Sequence, residues 1–165
     1  KLRAKGMEPA QELKTMQRMI NESLAHKPAD LVVTMHICRG NYKSNYFSTG
    51  GYDYAAEVIF GGLVLDGLFL EFDDERSGSF ESLKHVNRKD LKIVLGLLTS
   101  KKGELEDKEQ IKAQIAEAAT YVPLEQLCLS PQCGFSWTEE GNILTEEQQW
   151  RKLRYVKEIA DEVWG

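Results

Sequence analysis

The sequence predicts an α/β fold on a parallel sheet, of the (β/α)8 TIM-barrel type, with the chain covering about its last four strands. Three observations predict it. Apolar runs of strand length alternate with segments of helical period along the 165 residues. No hairpin signal joins two of the runs, so the connections are crossovers and the strands parallel. The residues with metal-binding chemistry fall at the carboxyl ends of three different strands, where such folds place their sites.

The elements follow in order. Pro9 suits the first position of a helix, Leu13, Met16, Ile20 and Leu24 recur at helical spacing, and Pro28 stops the run. Residues 31–37 form a β-rich run bounded by Gly40 and Asn41, followed by a polar Gly/Tyr/Ser-rich loop over 39–51. A helix over 52–65 precedes a strand at 68–72, and the acidic stretch 73–78 is a loop. Ser79 is placed to cap a short helix reaching Val86. Residues 91–98, LKIVLGLL, are nearly all apolar, as in a parallel strand covered on both faces.

Asp107 with Gln110 reads as a capping pair for a helix whose inner face carries Ile111, Ile115, Ala118 and Val122. Residues 127–130 are the fourth strand. Thr145 and Gln148 form a capping box for the last helix, lined by Leu153, Val156, Ala160 and Val163. An open doubly wound sheet would be complete at this length, whereas a full barrel needs about 250 residues. Ligands converging from several strands favour the barrel. The chain lacks an initiator Met and enters a helix almost at once, so it reads as a piece of something longer, residues 1–165 being the C-terminal half of a single catalytic barrel.

Composition narrows the function. A net charge of −5, with no Lys/Arg stripe, argues against nucleic acid. No run approaches eighteen apolar residues, which argues against a membrane span, and no signal peptide is evident. Three cysteines are too few for a disulfide framework and fit a reducing, cytoplasmic setting in which thiols serve chemistry or metal.

His36 and Cys38 are two apart, which on a strand turns both to one side. The bland alternative is a core histidine beside a buried thiol. Cys133, in Pro-Gln-Cys-Gly, lies in a loop at the same rim, and Glu71 ends an apolar strand where a carboxylate is costly without a cation. Imidazole, two thiols and carboxylate are the parts of a zinc site, with one tightly bound Zn²⁺ per chain expected. Asp73 and Asp74 rival Glu71. Cys128 is excluded, being expected to face the helices as a small hydrophobe. His26 and His85 read as surface residues, Trp150 and Trp164 as packing residues, and Trp137 has a chance of touching a ligand.

His-Ile-Cys (36–38), Glu71 with Arg76-Ser77, and Ser-Pro-Gln-Cys-Gly (130–134) resemble, in the same order, the catalytic half of cobalamin-independent methionine synthases, in a shorter bacterial subgroup. The resemblance implies a zinc-dependent methyltransferase with His36, Cys38, Glu71 and Cys133 as the metal ligands. It implies methyl transfer from N5 of a methylated folate to the thiol of homocysteine, the thiol being activated by zinc. Thr99 stands where the family has its proton-donating His, so the catalytic acid is unassigned. The segment between Cys38 and Glu71 is also longer than in the family, with the extra residues in the Tyr/Gly/Ser loop. Most pterin and amino-acid contacts would precede Lys1, so the chain alone is expected to be inactive and to self-associate or pair with the missing half. The rival readings are a similar thiol methyltransferase with another methyl donor, a structural zinc module, and a metal-free α/β binding domain.

Overall fold

The computed structural model describes residues 3–136 and 138–165. Its helices are α1 (Pro9–Leu24), α2 (Ala56–Gly62), α3 (Lys108–Ala118) and α4 (Glu146–Trp164), and its strands β1 (Thr34–Ile37), β2 (Gly67–Glu71), β3 (Lys92–Leu98) and β4 (Leu127–Pro131). The four strands form one parallel sheet in the order β1-β2-β3-β4. Parallel neighbours in chain order, each joined by a crossover, are consecutive strands of a (β/α)8 barrel.

Register separates the two faces. Met35, Leu68, Ile93 and Leu127 form one cross-sheet row, and Ile37, Leu70, Leu95 and Leu129 another. Both rows turn toward the helices and pack with Phe60, Leu83, Ile111, Ile115 and Ile159 in the apolar core. The alternate row, His36, Phe69, Val94 and Cys128, turns to the opposite face, since side chains alternate along a strand. Cys128 therefore lies on the face of His36, a correction to the expected helix-facing thiol.

Several predicted boundaries shift for identifiable reasons. The first strand begins at Thr34 because Leu31 N–H turns back to Pro28, and Val33 N–H bonds the Asp66 carboxylate at 2.7 Å instead of a ladder partner. The second helix covers only Ala56–Gly62, because Tyr52 is spent in a turn and Leu63 is extended. Asn21 of α1 closes its end, donating to Gly62 O at 2.8 Å and accepting from Val64 N–H at 2.9 Å. Phe80–His85 is a 3-10 helix whose Ser79 makes no capping bond. Met16, expected to face inward, is exposed, and Ile20 and Leu24 are the α1 residues packed against the apolar core among the described residues. Asp107 and the Thr145–Gln148 capping box behave as predicted.

The inner face of α4 centres on Lys152 and Ile159 rather than on Leu153. Lys152 is fully buried and held by Glu106 at 2.8 and 3.0 Å. The same carboxylate accepts Thr99 N–H at 2.8 Å, so the pair clamps the loop after β3 to α4. Removing one partner of a buried pair strands the other charge. Glu106→Ala should therefore cost about 2–3 kcal/mol, discounted for the partial exposure of Glu106. The urea midpoint of unfolding would read this directly, with Lys152→Met expected to cost less.

Candidate metal centre

Cys38 follows β1 directly and continues the face of His36, while Cys133 lies two residues beyond the end of β4. In a flat sheet, three interstrand spacings would separate the β1 and β4 backbones by about 14 Å. Here Cys133 Sγ stands 3.6 Å from His36 Nε2, and the donor atoms of His36, Cys38 and Cys133 all lie within 4.8 Å of one another. The sheet must curl, with its inward side chains converging on one axis.

Glycine permits the last step of that convergence. A Cβ at Gly96 would stand 2.7 Å from Leu70 O and 3.0 Å from Gln132 Cα, backbone on both sides. The register shift between Gly96 and Leu98 lets Gln132 N–H reach Leu98 O at 2.7 Å, which carries Cys133 over the sheet end.

Glu71 is completely buried at the end of β2. Its Oε2 accepts Arg39 N–H at 2.6 Å, and its Oε1 lies 3.5 Å from Lys101 Nζ. The carboxylate adjoins the trio electrostatically but falls outside the group of mutually close donors. Tyr52 joins the strand ends that carry Cys38 and Glu71. Its hydroxyl donates to Ile37 O and accepts Glu71 N–H, both at 2.8 Å. Arg39 ties the following loop down by donating to Gly50 O, Glu71 O and Ser77 O. Asn41 crosses to the far side, donating to Gly134 O at 3.1 Å.

The charges suit a cation. Burial holds the His36 imidazole below its ordinary range against the pull of Glu71, which favours the neutral ring a metal needs. Burial, and then Cys38 beside it, push the Cys133 thiol well up. Two thiolates side by side, one of them buried, need a positive ion to coexist, and thiolate with imidazole is a zinc-type donor set. Burial raises the Asp73 carboxyl to about 6, opposed by Lys101 and reinforced by Glu71.

Of the expected ligands, then, the structure brings together His36, Cys38 and Cys133, with Glu71 beside them. Asp73 is not among the mutually close donors and faces Lys101 Nζ at 3.9 Å, and Asp74 bonds Arg76. Thr99 accepts Lys101 N–H at 3.2 Å. Trp150 is exposed, contrary to its predicted packing role, whereas Trp164 packs against the core and donates to Leu124 O. His26 is exposed and His85 half-buried. Trp137 lies outside the described residues. The sequence reading missed Tyr52, Asn41 and above all Lys101, which is buried and also bonds Gln132 beside Cys133. A lysine just past a strand gives no sign of burial. Among the described residues, no helix is long and apolar enough to cross a membrane.

The family model described as cobalamin-independent synthase, catalytic domain, matches residues 8–160. YxjH and YxjG of Bacillus subtilis (strain 168), both described as uncharacterized, are each 60% identical over 163 residues. The chain spans 43% of the length of each of these relatives. The structure of a putative vitamin-B12-independent methionine synthase from Listeria monocytogenes superposes with a TM-score of 0.78 at 52% identity, over 97% of this chain and 43% of that one. A B12-independent methionine synthase from Shewanella, solved with selenomethionine, gives 0.68 at 17% identity over 89% and 42%, a likeness of fold.

Proposed function

We propose a function from one premise: the chain belongs to the cobalamin-independent methionine synthase family, through its catalytic domain. On this reading residues 1–165 are the C-terminal half of a single barrel and carry the zinc-binding part of a thiol methyltransferase. The acceptor is homocysteine or a similar thiol, and the donor a methylated folate. The observation that carries the reading is the convergence of His36, Cys38 and Cys133 donor atoms within 4.8 Å.

These three side chains would hold Zn²⁺, with Glu71 as the fourth ligand. Bound there, zinc would lower the pKa of a coordinated thiol and keep it nucleophilic at neutral pH. The protein's own residues prepare the place. Tyr52 fixes the ends of β1 and β2 relative to each other, so Cys38 and Glu71 cannot drift apart. Lys101 and Arg39 offset the charge of Glu71, which keeps a buried carboxylate tolerable before any metal arrives. Gln132, bonded to Lys101, sets the path of the chain into Cys133. Thr99 offers a hydroxyl where the family's proton donor is expected, and an alcohol is a poor acid near neutral pH. The proton therefore has to come from another group or from solvent.

The test is methyl transfer to homocysteine by the full barrel that contains these residues. Activity with methylfolate that a zinc chelator abolishes and zinc restores supports the reading. Undiminished activity after complete zinc removal contradicts it.

A further inference from the structure

The two thiols of the trio come from opposite edges of the sheet, Cys38 just past β1 and Cys133 two residues past β4. Neither lies within a strand, so the ladder of the sheet does not itself fix the distance between them. One buried side chain ties their loops together. Asn41, three residues beyond Cys38 and only 2% exposed, donates from Nδ2 to the carbonyl of Gly134 at 3.1 Å. Gly134 directly follows Cys133. A carbonyl oxygen only accepts, so the amide of Asn41 can stand only this way round. The same Nδ2 lies 3.4 Å from Oγ of Ser100, a fully buried residue just past β3, so a third strand end backs the tie.

The chain after Cys38 is bent to make this reach possible. Gly40 takes a φ of +93°, where a Cβ would meet Phe47 Cβ at 2.8 Å, and its N–H donates to Cys38 Sγ at 3.4 Å. From Cys38 through Gly40 to Asn41, and across to Gly134 and Cys133, the path between the two thiols is closed by a single hydrogen bond. Two other bonds join the same loops, Tyr42 hydroxyl to Glu140 at 3.2 Å and Ile143 N–H to Ser44 Oγ at 3.1 Å. Both are exposed, so water competes with them, and both lie further along the chain from the thiols. The amide also carries a cost, since Asn41 Oδ1 is buried without a partner among the described residues. For stability alone an apolar side chain would serve as well, which points to another role for the amide.

We propose that Asn41 is a positioning residue for the metal, holding Cys38 and Cys133 at the separation that a shared ion requires. The proposal rests on the metal reading given above. Two thiolates repel each other until a cation lies between them, and untied loops would let them part. The Asn41 bond opposes this, so the sulfurs are brought together on folding rather than on binding. Groups that orient metal ligands from behind are worth about 10–100-fold in affinity. Asn41 acts on the backbone beside a ligand rather than on its sulfur, which sets its effect at about tenfold, the lower end of that range.

Zinc affinity of the full barrel that contains these residues, measured by competition with a chromophoric chelator, tests the proposal. Asn41→Ala should weaken zinc binding about tenfold. Asn142→Ala is the matched control, because Asn142 Nδ2 donates to Ser100 O at 2.8 Å and ties the same loops without linking the two thiols. Both variants should lower the thermal midpoint of the metal-free protein, but only Asn41→Ala should weaken zinc. Asn41→Ser keeps a polar group in the buried place yet is too short for Gly134 O. It should repeat the loss, and it carries the test if the alanine variant does not fold. With cobalt(II) in place of zinc, Asn41→Ala should need more metal but reach the wild-type thiolate-to-metal charge-transfer intensity, since both sulfurs remain. A band reduced by one thiolate's share would mean a ligand lost rather than misplaced, and would overturn the proposal. Equal loss of zinc affinity in Asn142→Ala overturns it as well. Wild-type protein that takes up no zinc defeats the metal reading, whereas wild-type affinity in a folded Asn41 variant defeats this proposal alone.

Discussion

Cys133→Ser should strip the protein of most of its zinc, while Cys128→Ser should keep it. The two thiols make a matched pair of tests, because both belong to β4 or its end and Cys128 shares the inward face of His36. What separates them is reach. Cys133 Sγ stands 3.6 Å from His36 Nε2, whereas Cys128 is not among the mutually close donor atoms. Removing a group that merely orients a metal ligand costs about 10–100-fold in affinity, so losing a thiolate ligand should cost roughly a hundredfold or more. Cys38→Ser should match Cys133→Ser. Elemental analysis of protein purified without added metal reads the outcome. Full zinc in Cys133→Ser, or its loss in Cys128→Ser, would show that the metal sits elsewhere.

The second large effect concerns residues 1–165 produced alone. They should associate, and they should transfer no measurable methyl group from methylfolate to homocysteine. The sheet ends in β1 on one side and β4 on the other, and strand edges invite pairing. Its inner face presents Phe69 and the exposed His36 rather than a covering layer. A barrel buries such a face by closing on itself, which four strands cannot do. Catalysis asks still more, since a well-placed donor supplies much of the rate through orientation. Gel filtration and a methyl-transfer assay decide the matter. An active, monodisperse monomer of these residues would refute it, as would a polypeptide extended to the relatives' length that stayed inactive with zinc bound.

The layout was legible in the sequence because burial on both faces leaves a plain signature. LKIVLGLL could be little else than a central parallel strand, and Ile111, Ile115 and Ala118 marked their helix face by period alone, while Val122 joins the core from beyond the helix end. The trio was legible for a similar reason: strand spacing puts His36 and Cys38 on one side, and Pro131 ends the strand before Cys133. Other features left no such trace. Cys128 was misplaced because one residue of register decides its face. Lys152 and Lys101 read as solvent-facing charges, and only the folded chain sets them against Glu106 and Glu71. The second helix was drawn too long because nothing local reveals that Tyr52 serves two strands at once.

His36, Cys38 and Cys133 should hold zinc in a site that admits a substrate thiol. The most direct measurement is the zinc K-edge absorption spectrum of the protein with and without homocysteine. The resting spectrum should fit two sulfur ligands with nitrogen and oxygen, and homocysteine should add one more sulfur. A spectrum that homocysteine leaves unchanged would mean a closed, structural site that takes no substrate thiol.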